Sequence, residues 1–215
     1  MKWILVIVCF FSASIQVGNP NWELKKTGPG IKVYTAESEI SRIKDVKATL
    51  DLNGSLSSVV SVVRDLSSYP KWIYNCSEGK VIKMMGDTEL YFYQRIDAPW
   101  PVSDRDLCSH YKIRQNPQTL ELSVISQAEP NLLPEIEGVV RVKESKTLWK
   151  IKPIGKGVLK GEYYLSFDPA GDVPVWLINM FITEGPYASL LKLKALLTEA
   201  PHKDAKFPFI KELTR

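Results

Sequence analysis

Cysteine is scarce in this chain, with three in 215 residues. Cys9 stands inside an N-terminal apolar run, which leaves Cys76 and Cys108 for the rest. Two cysteines cannot build a disulfide scaffold, and no Cys-x-x-Cys spacing suggests a metal or redox centre. The strand pattern puts them at least one strand apart, so free thiols are expected. Histidine is scarcer still: His110 and His202 are the only two. No Gly-x-Ser-x-Gly elbow, His-Glu-x-x-His pair or phosphate loop occurs. Gly155, Gly157 and Gly161 imitate a dinucleotide fingerprint, but the spacing is one residue too long and the segment reads as a strand. No catalytic residue, metal or cofactor is expected. No apolar run reaches the roughly 20 residues that span a bilayer. Charge of one sign is also lacking. Lys plus Arg (28) barely exceeds Asp plus Glu (24), whereas a nucleic-acid binder gathers a basic excess on one element. A nucleic-acid partner is therefore not expected.

What is present is an ordinary globular composition, 45% hydrophobic and 24% charged, which excludes wholesale disorder. Lys2 precedes an apolar run from Trp3 to Phe11, and Ser12-Ala13-Ser14 follows. That is the shape of a secretory leader. Residues 1–18 are read as a signal peptide and 19–215 as one domain, exported to a periplasmic or extracellular location.

Periodicity orders the elements. Asp45 to Leu52 alternates strictly, with Val46, Ala48, Leu50 and Leu52 apolar, as in a half-buried strand. Leu56, Val59, Val60, Val63 and Leu66 fall on one face of a helix, which Tyr69-Pro70 is expected to end. Strands are predicted at Val81–Met84, Leu90–Ile96, Asp106–Ile113, Leu120–Ile125, Val139–Val142, Leu148–Ile151 and Val158–Phe167. Their spacing indicates an antiparallel sheet. A helix follows Pro174, with a kink at Gly185-Pro186, and the residues after Pro201 look loosely held. The class is α+β. Seven basic residues between Arg141 and Lys160 alternate with apolar ones and read as a solvated convex face, although attraction to anionic headgroups is the alternative.

At Ala98-Pro99-Trp100-Pro101-Val102-Ser103-Asp104-Arg105-Asp106 the chain resembles the StAR-related lipid-transfer (START) family. Trp22 and Gly30–Tyr34 resemble that family's opening helix and first strand. Leu133–Gly138 resembles the loop over the tunnel mouth, and Pro174–Asn179 the start of the C-terminal gating helix. The resemblance implies a helix-grip fold, a curved antiparallel β-sheet wrapped around a long C-terminal α-helix. It also implies a hydrophobic tunnel for one sterol, phospholipid or similar lipid-like molecule, transient contact with a membrane surface, and a monomer. Strand parity then selects the lining: Leu107, Ser109 and Tyr111 on one strand, Phe92, Gln94 and Ile96 on its neighbour, Leu122 and Val124 on the next. Leu132, Leu133 and Pro134 are expected as a lid against Trp176, Met180 and Phe181. Arg105 and Asp106 are expected to tie the loop to the sheet. A polyketide cyclase or aromatase-like enzyme on the same fold, and a protein-interaction module with a filled interior, are the alternatives.

Overall fold

The computed structural model describes residues 20–174, 177–178 and 180–213. The segment read as a leader lies outside them. A ten-stranded sheet dominates. Its path runs β1 (Glu23–Gly28), β2 (Ile31–Ala36), β3 (Asp45–Asn53), then β10 (Val158–Asp168), β9 (Glu144–Gly155), β7 (Leu122–Ala128), β6 (Arg105–Gln115), β5 (Glu89–Ile96) and β4 (Cys76–Met84). The sheet does not close. All pairs on this path are antiparallel. The alternation predicted for β3 holds: Val46, Ala48, Leu50 and Leu52 are buried.

The apolar face of the sheet needs a cover, and two helical segments supply it. Between β3 and β4 lie α1 (Leu56–Arg64), a 3-10 turn at Leu66–Ser68 and α2 (Tyr69–Trp72). Ser55 caps α1 by accepting from the Ser58 amide at 2.9 Å, and the Ser58 hydroxyl returns to the Ser55 amide, a reciprocal box that satisfies two orphan donors. The second cover is α3 (Gly185–Leu196), preceded by a π-helical turn at Met180–Glu184. Pro186 stands in the first turn of α3, directly after the π-helical turn, so the helical path changes type at the Gly185-Pro186 step where a kink was expected, as a missing N–H requires. Leu190, Leu193 and Leu197 are buried against the sheet. This is the α+β helix grip that the resemblance implied.

Several expectations are corrected. The segment at Trp22 runs into a strand, not an opening helix, and it forms a hairpin with β2 through Pro29 and Gly30, whose φ is +66°. Tyr69-Pro70 does not end the helical segment. It opens α2, because a proline in the first turn is already geometrically helical. Val139–Val142 forms only a two-residue strand, β8 (Val140–Arg141), parallel to β6. The tail after Pro201 is held firmly: His202 and Ile210 are buried, and Glu212 accepts the Leu56 and Ser57 amides at 3.0 and 2.7 Å. A carboxylate at a helix N-terminus meets unsatisfied donors and the positive dipole end.

Candidate functional site

The covers leave a cavity of about 230 Å³ on the concave face. Its floor is built in rows across the strands. Tyr111 pairs with Ser126, and Ser126 with Thr147. One row towards the helices, Val124 pairs with Trp149, and Trp149 with Tyr163. In the other direction lie Phe92, then Gln94 opposite Leu107, then Ile96 opposite Arg105. The roof comes from Val63, Tyr69, Trp72, Ile73 and Tyr74 on the α1–α2 side and Pro186, Ser189 and Leu190 on α3. Tyr69, Trp72, Phe92 and Tyr111 meet edge to face, the arrangement favoured by aromatic quadrupoles.

Most of this wall is apolar, yet it carries polar atoms without partners. Tyr111 Oη and Trp72 Nε1 are buried and make no hydrogen bond among the described residues. Burial pushes the Tyr111 phenol well above its ordinary range, so it stays a neutral donor. A buried donor left unmade costs roughly 1–3 kcal/mol.

Charges gather at the β6 end. Asp106 is 1% exposed and receives Arg141 bidentately, Nε at 2.7 Å and Nη2 at 2.9 Å. The remaining Arg141 donors go to the carbonyls of Pro130, Leu133 and Pro134. Hydrogen bonding to Asp106 raises the Arg141 pKa. Arg141 was expected on the solvated face and is instead 3% exposed; the 129–139 loop folds over it. The lysines from Lys143 to Lys160 are exposed as expected. Arg95 bonds Asp104 at 2.5 Å, and the Ala98 amide donates to the other oxygen of that carboxylate at 2.9 Å. Arg105 ties Ser103 to Pro169 and Ala170 through their carbonyls, the loop-to-sheet role expected of it.

Six of the expected lining residues lie on the cavity wall: Phe92, Gln94, Ile96, Leu107, Tyr111 and Val124. Ser109 and Leu122 share their parity but pack into the core, away from the opening. Leu132, Leu133 and Pro134 are absent from the wall. They lie over the outer face of β6, where Arg141 donates to the Leu133 and Pro134 carbonyls, so they are not the expected lid. Trp176 and the side chains of Met180 and Phe181 fall outside the described residues. Sequence reasoning expected the C-terminal helix as cover but missed the α1–α2 part of the roof, the α3 residues Pro186, Ser189 and Leu190, and most of β9. Tyr69 and Trp72 follow a helix that was expected to end. Ser145 and Thr147 precede the short strand predicted at Leu148. Continuing the parity of Trp149 backwards would have found both.

Neither histidine faces the cavity. His110 bonds Glu89 at 2.7 Å and stacks on Tyr91 on the outer face, and His202 meets Ser61 at 2.9 Å. Cys76 and Cys108 are free and buried.

Comparison with known proteins agrees with this geometry. An uncharacterized protein of Pseudomonas aeruginosa is 32% identical over 177 residues, covering 81% of this chain and 86% of that one. The human phosphatidylcholine transfer protein is 24% identical over 185 residues, covering 82% and 86%. Among solved structures, a STAR-related lipid transfer protein fragment from Xanthomonas axonopodis superposes with a TM-score of 0.75 at 31% identity, covering 83% of this chain and 99% of that one. Human STARD10 gives 0.72 at 19% identity, covering 84% and 74%, a likeness of fold. The family model described as the START domain matches residues 7–201, and the chain belongs to the START domain family.

Proposed function

We propose that the chain binds a single lipid-like molecule in this cavity and carries or presents it between membranes or proteins, as a binding protein and not as a catalyst. The observation that carries the reading is a cavity walled by Val63, Phe92, Val124, Trp149, Leu165 and Leu190 beneath a helical cover. An acyl chain or ring system moved into such a space gains roughly 25 cal/mol per Å² of apolar surface removed from water. The names of the phosphatidylcholine transfer protein relatives and of the Xanthomonas structure support a lipid as the occupant. A cyclase needs an oriented acid–base pair at its substrate, and both histidines are engaged away from the cavity.

Contact with a bilayer is part of the proposal. Trp100 is 91% exposed at the tip of the loop between β5 and β6. That loop is fastened to the cavity end by Arg105 through Ser103. Indole rings favour the level of the lipid headgroups. On the same reading the domain works as a monomer outside the cytoplasm after removal of residues 1–18.

Transfer of a fluorescent phospholipid from donor to acceptor vesicles tests the proposal. The full chain should accelerate transfer in proportion to its concentration. No acceleration, together with no lipid retained on the protein, would overturn it.

A further inference from the structure

The turn between β9 and β10 exposes an apolar side chain on each of its flanks. Ile154 is 52% exposed and Val158 42%. Both fall on the convex side, with the outward alternation of Lys150, Lys152 and Lys160. Lys156 and Gly157 make the turn itself, and Gly157 closes it at a φ of +72°, where only glycine sits without strain. The turn is braced. β9 pairs with the whole of β10, and the Gly54 amide donates to the Gly157 carbonyl at 3.0 Å. Single exposed apolar residues are ordinary on a protein surface. Here two of them flank one rigid turn.

Cations surround them. Lys152, Lys156 and Lys160 are all exposed. Lys160 gives its ammonium to Asp51, while Lys152 and Lys156 pair with no carboxylate among the described residues. Asp51 serves more than one cation: the hydrogen bond from Lys160, then the fields of Lys160, Lys194 and Lys32, hold its carboxyl below the ordinary value. Glu162, two residues beyond Lys160, is taken by Lys47 and the Tyr164 hydroxyl. An apolar tip inside a basic collar is the pattern of a segment that lies in the interface of an anionic bilayer. The apolar groups enter the headgroup region, and lysine stems extend so that their ammoniums stay at the phosphates.

The position of this tip matters. Ser109 pairs with Ala128, and Gln127 with Lys146, so the start of β6, with the Trp100 loop before it, lies at the beginning of β9. The β9–β10 turn lies at the other end of the sheet, roughly 30 Å away along the strands.

We propose that the β9–β10 turn is a second bilayer-contact site, in which Ile154 and Val158 enter the headgroup region and Lys152, Lys156 and Lys160 meet anionic phospholipids. The proposal goes beyond the cavity and holds whatever the cavity carries. One flat bilayer cannot engage the two ends together, so the chain has one contact site for each of two surfaces.

A dye that reports polarity tests it at the tip. In the chain from residue 19, which holds every described residue, Lys156→Cys is labelled with nitrobenzoxadiazole; Cys76 and Cys108 are buried. Vesicles of mixed phosphatidylcholine and phosphatidylglycerol should shift its emission to the blue, and Trp100→Ala should leave that shift in place. Unlabelled wild type should sediment with the mixed vesicles about 10- to 100-fold more tightly than with phosphatidylcholine alone, and salt should erode the difference. Lys152→Glu with Lys156→Glu should bring the ratio close to one, and Ile154→Ser with Val158→Ser should weaken binding to both. An unshifted dye on a chain that sediments with the mixed vesicles would overturn the proposal, as would equal affinity for the two vesicles or no sedimentation with either. A blue shift that grows with protein concentration in the absence of vesicles would also overturn it, in favour of contact between copies of the chain. Loss of lipid transfer with the dye shift intact would count against the carrier reading and leave this site standing.

Discussion

Tyr111 shows how one atom reports on the contents of the cavity. Its hydroxyl is buried without a hydrogen-bond partner among the described residues. Tyr111→Phe should therefore stabilise the empty protein, by about 1 kcal/mol, because an unmade buried bond disappears with the group. Thermal melting of the delipidated variant checks this; a lower midpoint would mean that the hydroxyl already has a partner. The thiols permit a second expectation. Burial pushes Cys76 up to about 12 and raises Cys108 as well, and the nucleophile is the thiolate. At pH 8 a thiol reagent should count no reactive cysteine in the native chain and two in denaturant, in a preparation lacking residues 1–18. Inward parity at Tyr111 was legible because β6 alternates cleanly over Leu107, Ser109, Tyr111 and Ile113. Burial of Arg141 was not. It stands among exposed lysines, and only a loop arriving from outside its strand conceals it.

At the scale of elements, β4 and the helical cover meet backbone to backbone at Gly79. A Cβ at Gly79 would come within 2.3 Å of the Leu66 carbonyl and 3.0 Å of Tyr69 Cβ. Gly79→Ala must push the 3-10 turn and α2 off the sheet, which should cost roughly 1–3 kcal/mol, measurable by urea unfolding. It should also weaken lipid binding, since Tyr69 and Trp72 form the roof. The tail supplies a milder case. Glu212→Gln removes the charge that caps α1, with an expected loss of about 1 kcal/mol on the same assay and no displacement of the cavity. Sequence periodicity located α1, β3, β5, β6 and β10 well, because each buries one face along its own length. It placed β9 at four residues where the strand runs for twelve, since exposed lysines and Pro153 interrupt the apolar run. It left the tail loose because the partners of His202 and Glu212, Ser61 and the first turn of α1, lie some 140 to 160 residues earlier in the chain.

For the whole molecule, two buried arginines and one short ion pair fasten two loops and the chain just after β10 to the same end of the sheet. Arg105 joins the β5–β6 loop to the end of β10, Arg141 holds the 129–139 loop, and Asp104 closes the β5–β6 loop on itself. The Ala98 amide and then Arg95 hold the Asp104 carboxyl below its usual range. The folded chain thus keeps this group ionised where the unfolded chain protonates it. Its contribution is complete above the ordinary carboxylate range and falls away as pH drops through the lowered value. Amide exchange at Ala98 should therefore quicken below about pH 4 relative to the β3–β10 core; equal protection at both pH values would contradict this.

The most direct measurement is native mass spectrometry of the chain from residue 19, purified without detergent and incubated with vesicles of mixed phospholipid, sterol and fatty acid. A cavity that holds one lipid predicts a single adduct of lipid mass per chain, and extraction identifies it. A bare mass before and after incubation, with the fold intact by circular dichroism, would contradict the claim that this domain is a lipid carrier.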